Sequence, residues 1–163
     1  MVLLLFLPAV VIYHQRALAL DLQKVADVTT AIPDGTDDFA YFVSPLISGG
    51  NVAFSGGHTN DYPFPGVYLF NGTVLSRVAD LNTLIPGGTG TFGRIDNNFG
   101  ISGGQVAFRG YGSEGQGIYL FNGATVSRVA DRNTAVPPNS IGIFRCFSEP
   151  HISGQYVAFW AGG

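Results

Sequence analysis

The chain is short of charge. Only 12% of its 163 residues are Asp, Glu, Lys or Arg, with one lysine, Lys24, and a formal net charge of −3. That is about half the share usual in soluble domains. Without a basic patch there is nothing to neutralise a phosphate backbone or an anionic bilayer, so nucleic acid is not an expected partner. There is one cysteine, Cys146, so no internal disulfide can form, and burial alone must hold the fold if the chain is exported. Flanked by Arg145 and Phe147 in an expected strand, it reads as an inert sheet residue. Helical periodicity sustained over ten residues is also missing beyond residue 20, which excludes a helical bundle.

What the chain has instead is 23 glycines, 13% aromatic residues and 46% hydrophobic residues. Many short strands joined by tight turns have this composition. It also repeats. Ile47-Ser48-Gly49-Gly50-Asn51-Val52-Ala53-Phe54 returns as Ile101 to Phe108 and again as Ile152 to Phe159. Gly66 to Thr83 (GVYLFNGTVLSRVADLNT) returns 51 residues later as Gly117 to Thr134, with 13 of 18 positions identical. A trace of the second motif, Lys24-Val25-Ala26-Asp27, precedes the first copy. Two motifs keeping one beat mark an internal duplication, with a period in the range of propeller blades.

Each unit reads as four strands in two hairpins. Gly49-Gly50 and Gly103-Gly104 are expected to turn the first hairpin, and Asn71-Gly72 and Asn122-Gly123 the second, as two-residue turns. In Val67-Tyr68-Leu69-Phe70 one face takes Val67 and Leu69 and the other Tyr68 and Phe70. Both faces are apolar, as expected of a sheet packed between two neighbours. The expected fold is therefore all-β, a β-propeller-like array of four-stranded antiparallel units with a period of about 51 residues. Two complete units flanked by fragments make it an incomplete propeller. It is expected to be truncated at its C-terminus, with Val157 and Phe159 exposed on the last hairpin, or to close by self-association.

Met1 to Tyr13 is almost wholly apolar, too short to span a bilayer, and followed by Ala17-Leu18-Ala19. This A-x-A pattern after an apolar run reads as a secretory signal peptide over 1–19, although a basic residue ahead of the run is missing. The repeat domain is then 20–163, with no membrane span in the mature chain and a secreted or cell-surface location.

No catalytic constellation, cofactor motif or metal cluster emerges. Gly88-Thr89-Gly90-Thr91-Phe92-Gly93 matches G-x-G-x-x-G but opens no helix to receive a pyrophosphate. Gly112-Ser113-Glu114-Gly115 lacks the first glycine of a nucleophile elbow. His58 and His151 lie at non-equivalent positions, and Asp34, Asp37 and Asp38 fit no calcium loop. The repeated Asp27, Asp80 and Asp131 are suited to accept backbone N–H bonds from residues two further on and so fix a turn.

The pattern ISGGxVAF, GIYLFNG, SRVADxNTxIP resembles a family of bacterial, often cyanobacterial, exported tandem-repeat proteins whose repeats carry a Gly-x-x-Ala-Phe core. The resemblance spans nearly all of residues 22–163 in three registered copies. It implies export and a propeller-like repeat, and no catalytic residues come with it. The expected function is a non-catalytic module binding an extracellular glycan or protein, with Tyr62, Phe64 and Tyr111 as the contacts to suspect. Two alternatives are a fragment of a propeller-type hydrolase or lyase whose acids lie outside this chain, and a structural surface-array component. For the enzyme, Glu114 and Glu149 are the carboxylates unique to one unit, with no evident partner.

Overall fold

The computed structural model describes residues 9–16, 19–58, 66–137 and 141–163, with backbone alone at residues 9, 11–16 and 19–21. Among them every regular element is a strand. A hairpin of β1 (Ala9–Arg16) and β2 (Ala19–Asp27) comes first. An antiparallel sheet follows, built in sequence order from β3 (Tyr41–Ser48), β4 (Asn51–Gly57), β5 (Gly66–Phe70) and β6 (Leu75–Asp80). The second sheet repeats it with β7 (Arg94–Ser102), β8 (Gln105–Gly112), β9 (Gly115–Phe121) and β10 (Val126–Asp131). Half a unit ends the chain, as β11 (Cys146–Phe147), β12 (His151–Ser153), β13 (Tyr156–Ala158) and β14 (Ala161–Gly162). In it β12 pairs with β13 and β11 with β14.

The alternation legible in the sequence decides the packing. Tyr68 and Phe70 turn back into a core shared with Val10, Val25 and Ala26 of the first hairpin, while Val67 and Leu69 turn forward. The forward core is completed by Phe92, Val106, Phe108, Tyr119 and Phe121 of the next sheet. Ile118 and Ala130 face forward in turn, against Phe144, Phe147 and Phe159. Every core thus lies between two units. Val157 and Phe159, expected to be exposed, are half-buried against the second sheet instead. Among the aromatic residues of the last unit Tyr156 and Trp160 are left open, 83% and 65% exposed.

An aromatic cluster recurs at each seam. A loop phenylalanine stands edge-on to a strand tyrosine, Phe39 to Tyr68 and Phe92 to Tyr119, both at 4.8 Å between ring centroids. Phe54 and Phe108 close each cluster at 5.6 and 5.7 Å from the loop ring. Tilted and edge-on pairs are worth about 0.5–1.5 kcal/mol each beyond the area they bury. Gly110 leaves room for the Phe92 ring, since a Cβ there would sit 2.5 Å from the ring edge. A second seam contact is polar. The Gly103 amide donates to the Ser48 hydroxyl at 3.0 Å, and the Gly154 amide to the Ser102 hydroxyl at 2.9 Å.

Turns follow the expected chemistry in part. Gly49 and Gly50 both have positive φ, 57° and 83°, as a type I′ turn needs. The Asn-Gly hairpins differ from the two-residue turns expected. Phe70 pairs with Leu75, so the loop spans residues 71–74 and Gly72 alone takes positive φ, while the Asn71 carboxamide accepts from the Thr73 and Val74 amides. A side chain able to bond two backbone amides favours this wider loop over a turn demanding positive φ at asparagine.

Asp27, Asp80 and Asp131 each accept the amide of the residue two further on, at 3.0 Å. Each aspartate amide donates in turn to a threonine hydroxyl three residues on, at 2.9 Å. Lys24, beside Asp27, and the Thr29 hydroxyl and amide hold that carboxyl well below the usual carboxylate range. Partial burial works to raise the Asp131 pKa. Thr134, the Asn133 amide and Arg128 outweigh it, and the net shift is downward.

Three outcomes are expected. Phe108→Ala empties the centre of a seam and lowers unfolding free energy by about 3–5 kcal/mol in urea titration. Ser102→Ala removes one seam hydrogen bond and costs about 1 kcal/mol in the same assay. The depressed aspartates stabilise the fold above their unfolded pKa, and that contribution is lost as pH falls from about 4 through their folded values. The urea midpoint therefore drops with acidification over that window, and less steeply in Asp131→Asn.

Candidate functional site: a groove at the bulge of β7

β7 is interrupted. Ile95 pairs with Gly110 and Phe99 with Phe108, leaving Asp96, Asn97 and Asn98 looped out of register opposite Arg109. β3 has a smaller bulge at the same place, between Val43 and Leu46. A bulge re-aims side chains, and in β7 it aims them two ways.

Asp96 turns inward. Its carboxylate is buried, with Arg94 at 2.7 Å and Arg109 at 2.5 Å. The Tyr111 hydroxyl donates to it at 3.3 Å, and the Tyr111 ring lies 4.9 and 5.7 Å from the two guanidinium centres. Burial first, then the Asp96 charge, pushes the Tyr111 pKa up. Arg109 also donates to the Phe147 carbonyl, which ties the second sheet to the last half unit. In the first sheet the matching positions are Val43, Ser55 and Gly57, so this charged cluster occurs once. Every group in it is engaged by the protein itself, which makes it a brace.

Asn97 and Asn98 turn the other way, into a groove of about 300 Å³ where β3, β7 and β12 come together. Ser44, Leu46, Asn97, Asn98, Glu149 and His151 line it, over Phe99 and Pro150. Ser44, Asn98 and Glu149 each stand three residues before the isoleucine of their ISG motif, so one repeat position supplies three unlike polar groups. Asn98 donates its carboxamide hydrogen to Glu149 across 51 residues of sequence. Glu149 thus has the partner that the sequence did not reveal. Ser44 holds a φ of 53°, one of two positive values among the described non-glycine residues. Such backbone is costly for a side-chain-bearing residue and tends to persist where function or tight packing demands it.

The other candidates separate cleanly. Glu114 accepts from Thr89 at 2.9 Å and from Asn133 at 3.3 Å, beside a pocket of about 10 Å³. That volume is at the lower limit for a single water, so this glutamate joins two loops. The Gly88–Gly93 loop runs straight into β7 with no helix behind it. Asp34 faces Arg77 at 3.4 Å, and the His58 ring nitrogen lies 3.3 Å from the Asp38 carbonyl. Cys146 is half-buried in β11. Tyr62 and Phe64 lie outside the described residues, and Tyr111 belongs to the brace.

No family model matches the chain, and neither does a curated protein or a solved structure. Asp96→Ala leaves two guanidinium groups facing each other without their carboxylate. Removing one partner of a buried ion pair typically costs about 3–5 kcal/mol, and thermal melting of this variant is expected to show a loss of that size.

Proposed function

We propose that the chain is a non-catalytic binding module, an arc of propeller-like units that takes a glycan in the groove at the β7 bulge. The carrying observation is the convergence of Ser44, Asn98 and Glu149, unlike groups from one repeat position, beside the exposed apolar side chain of Leu46. A sugar ring needs this combination: hydroxyls meet neutral and anionic hydrogen-bonding groups, while C–H faces rest on apolar carbon. Glycoside hydrolysis normally uses two carboxylates flanking the bond. The groove lining contains one, which favours binding over cleavage.

The setting that suits this function is extracellular or at the cell surface, reached by export. The apolar run ending in Ala17-Leu18-Ala19 supports that route. A specific observation favours retention of the run in the folded protein, because residues 9–16 build β1 in the register of a full unit. N-terminal sequencing of the exported protein separates the two: a start at Leu20 marks a cleaved leader, and a start ahead of Ala9 marks a retained strand.

Binding is tested on a glycan array followed by calorimetry. Glu149→Ala and Asn98→Ala are each expected to weaken binding about tenfold or more, since each leaves buried polar groups of the complex unpaired. Unchanged affinity in both variants, with loss on Tyr111→Ala or Tyr62→Ala and Phe64→Ala, moves the site away from the groove.

A further inference from the structure

We propose that the groove at the β7 bulge selects a sugar bearing a free amine, with Glu149 as the residue that takes the ammonium group. The inference rests on the glycan-binding reading and names the class of sugar within it.

The charge of the lining carries it. Ser44, Asn97 and Asn98 are neutral, and among the described lining residues there is no lysine or arginine. Glu149 is the one carboxylate of the lining, and it is exposed. Elsewhere Asp27, Asp34, Asp80, Asp96 and Asp131 each face a lysine or an arginine. Glu149 faces neither among the described residues. Its hydrogen bond comes from the neutral Asn98 carboxamide, which fixes Oε1 and leaves the charge uncompensated. The two arginines beside the bulge, Arg94 and Arg109, are engaged by Asp96, and Arg109 also by the Phe147 carbonyl.

A carboxylate positioned by a neutral donor keeps its charge for a ligand. Hydrogen bonds between ionised groups are about twice as strong as neutral ones, so an ammonium group gains most from this position. An N-acetylated sugar offers no charge and gains less. A uronic acid brings a second carboxylate and is repelled. His151, in β12, is the lining residue able to carry a positive charge.

The placement of the groups also orients the ring. β7 contacts both β3 and β12. Leu46 enters from β3, 39% exposed, and Glu149 from the segment ahead of β12, so the apolar and charged groups come from different units. The C–H face of the sugar rests on Leu46 while its amine meets Glu149. A groove of about 300 Å³ is at the lower end of the range for small-molecule sites, which suits a single ring.

The test is a glycan array carrying matched pairs: glucosamine, galactosamine and mannosamine, each beside its N-acetyl form, with glucuronic and galacturonic acids. It is read at about pH 7, above the carboxylate range and below that of an ordinary amine. The preferred amine form is expected to bind about fivefold tighter than its N-acetyl partner in calorimetry. That margin shrinks as salt is raised, because exposed charges are screened. Glu149→Gln keeps an acceptor for Asn98 and removes the charge, so the two affinities converge. Leu46→Ala weakens both forms and keeps their ratio. Equal affinity for the two forms overturns the proposal, as does a preference that survives Glu149→Gln. So does tighter binding of a uronic acid that is lost in His151→Gln. Binding confined to sugars without an amine removes this proposal and leaves the functional one, and no binding to any glycan removes both.

Discussion

A phenylalanine from the loop between units, set edge-on against a tyrosine of the sheet it precedes, is the contact on which the rest of this architecture depends. Phe92 reaches Tyr119 and Phe108 while packing against Val67 and Leu69 of the sheet before. One ring therefore fixes the entry of the chain into a unit and the distance to its neighbour at once. The surrounding backbone is shaped for it: the strand passing beneath carries Gly110, where any side chain would collide with the ring. Once the seam is spaced by aromatic rings, the two-sided apolar strands have somewhere to go. No sheet here buries both its faces without a unit on either side.

Much of this was legible from residues alone, because repetition and alternation are read directly. The two-faced strand Val67 to Phe70 divides its side chains between two cores as its pattern implies. The aspartates closing each unit accept the amides that their spacing suggested. The Asn-Gly loops are wider than two residues, because the dipeptide signals a reversal without fixing how many residues share it. The groove was hidden for a different reason. Its polar groups sit in a strand bulge, and a bulge shifts which residues share a face without leaving a mark in the alternation. One signal was present nonetheless. Aligned on the ISG motif, the position three residues upstream reads serine, asparagine and glutamate ahead of a motif that is itself kept from copy to copy.

The apolar run at the start of the chain illustrates a different limit. A leader and a two-sided strand both ask for consecutive apolar residues, so Ala9 to Ile12 satisfies either. What distinguishes the strand is a register detail, the skipped valine opposite β1, which only the folded backbone displays. The Asp96 cluster makes the complementary point about charge. Its two arginines, carboxylate and tyrosine resemble a site by composition, yet the groups satisfy one another and a backbone carbonyl of the next unit. Unlike groups gathered at one place are a brace when they face each other and a candidate site when they face a groove.

The hydrogen bond from a glycine amide to a serine hydroxyl that crosses two of the seams has a consequence for how such a chain arises and falls apart. Ser48 to Gly103 and Ser102 to Gly154 are one contact written twice, so each added unit arrives with its interface already specified. Energy in such an array accumulates between nearest neighbours. Duplication can lengthen it without inventing a new surface, and melting proceeds inward from whichever end lacks a neighbour. A seam with a unit on either side of its own pair is the last to yield.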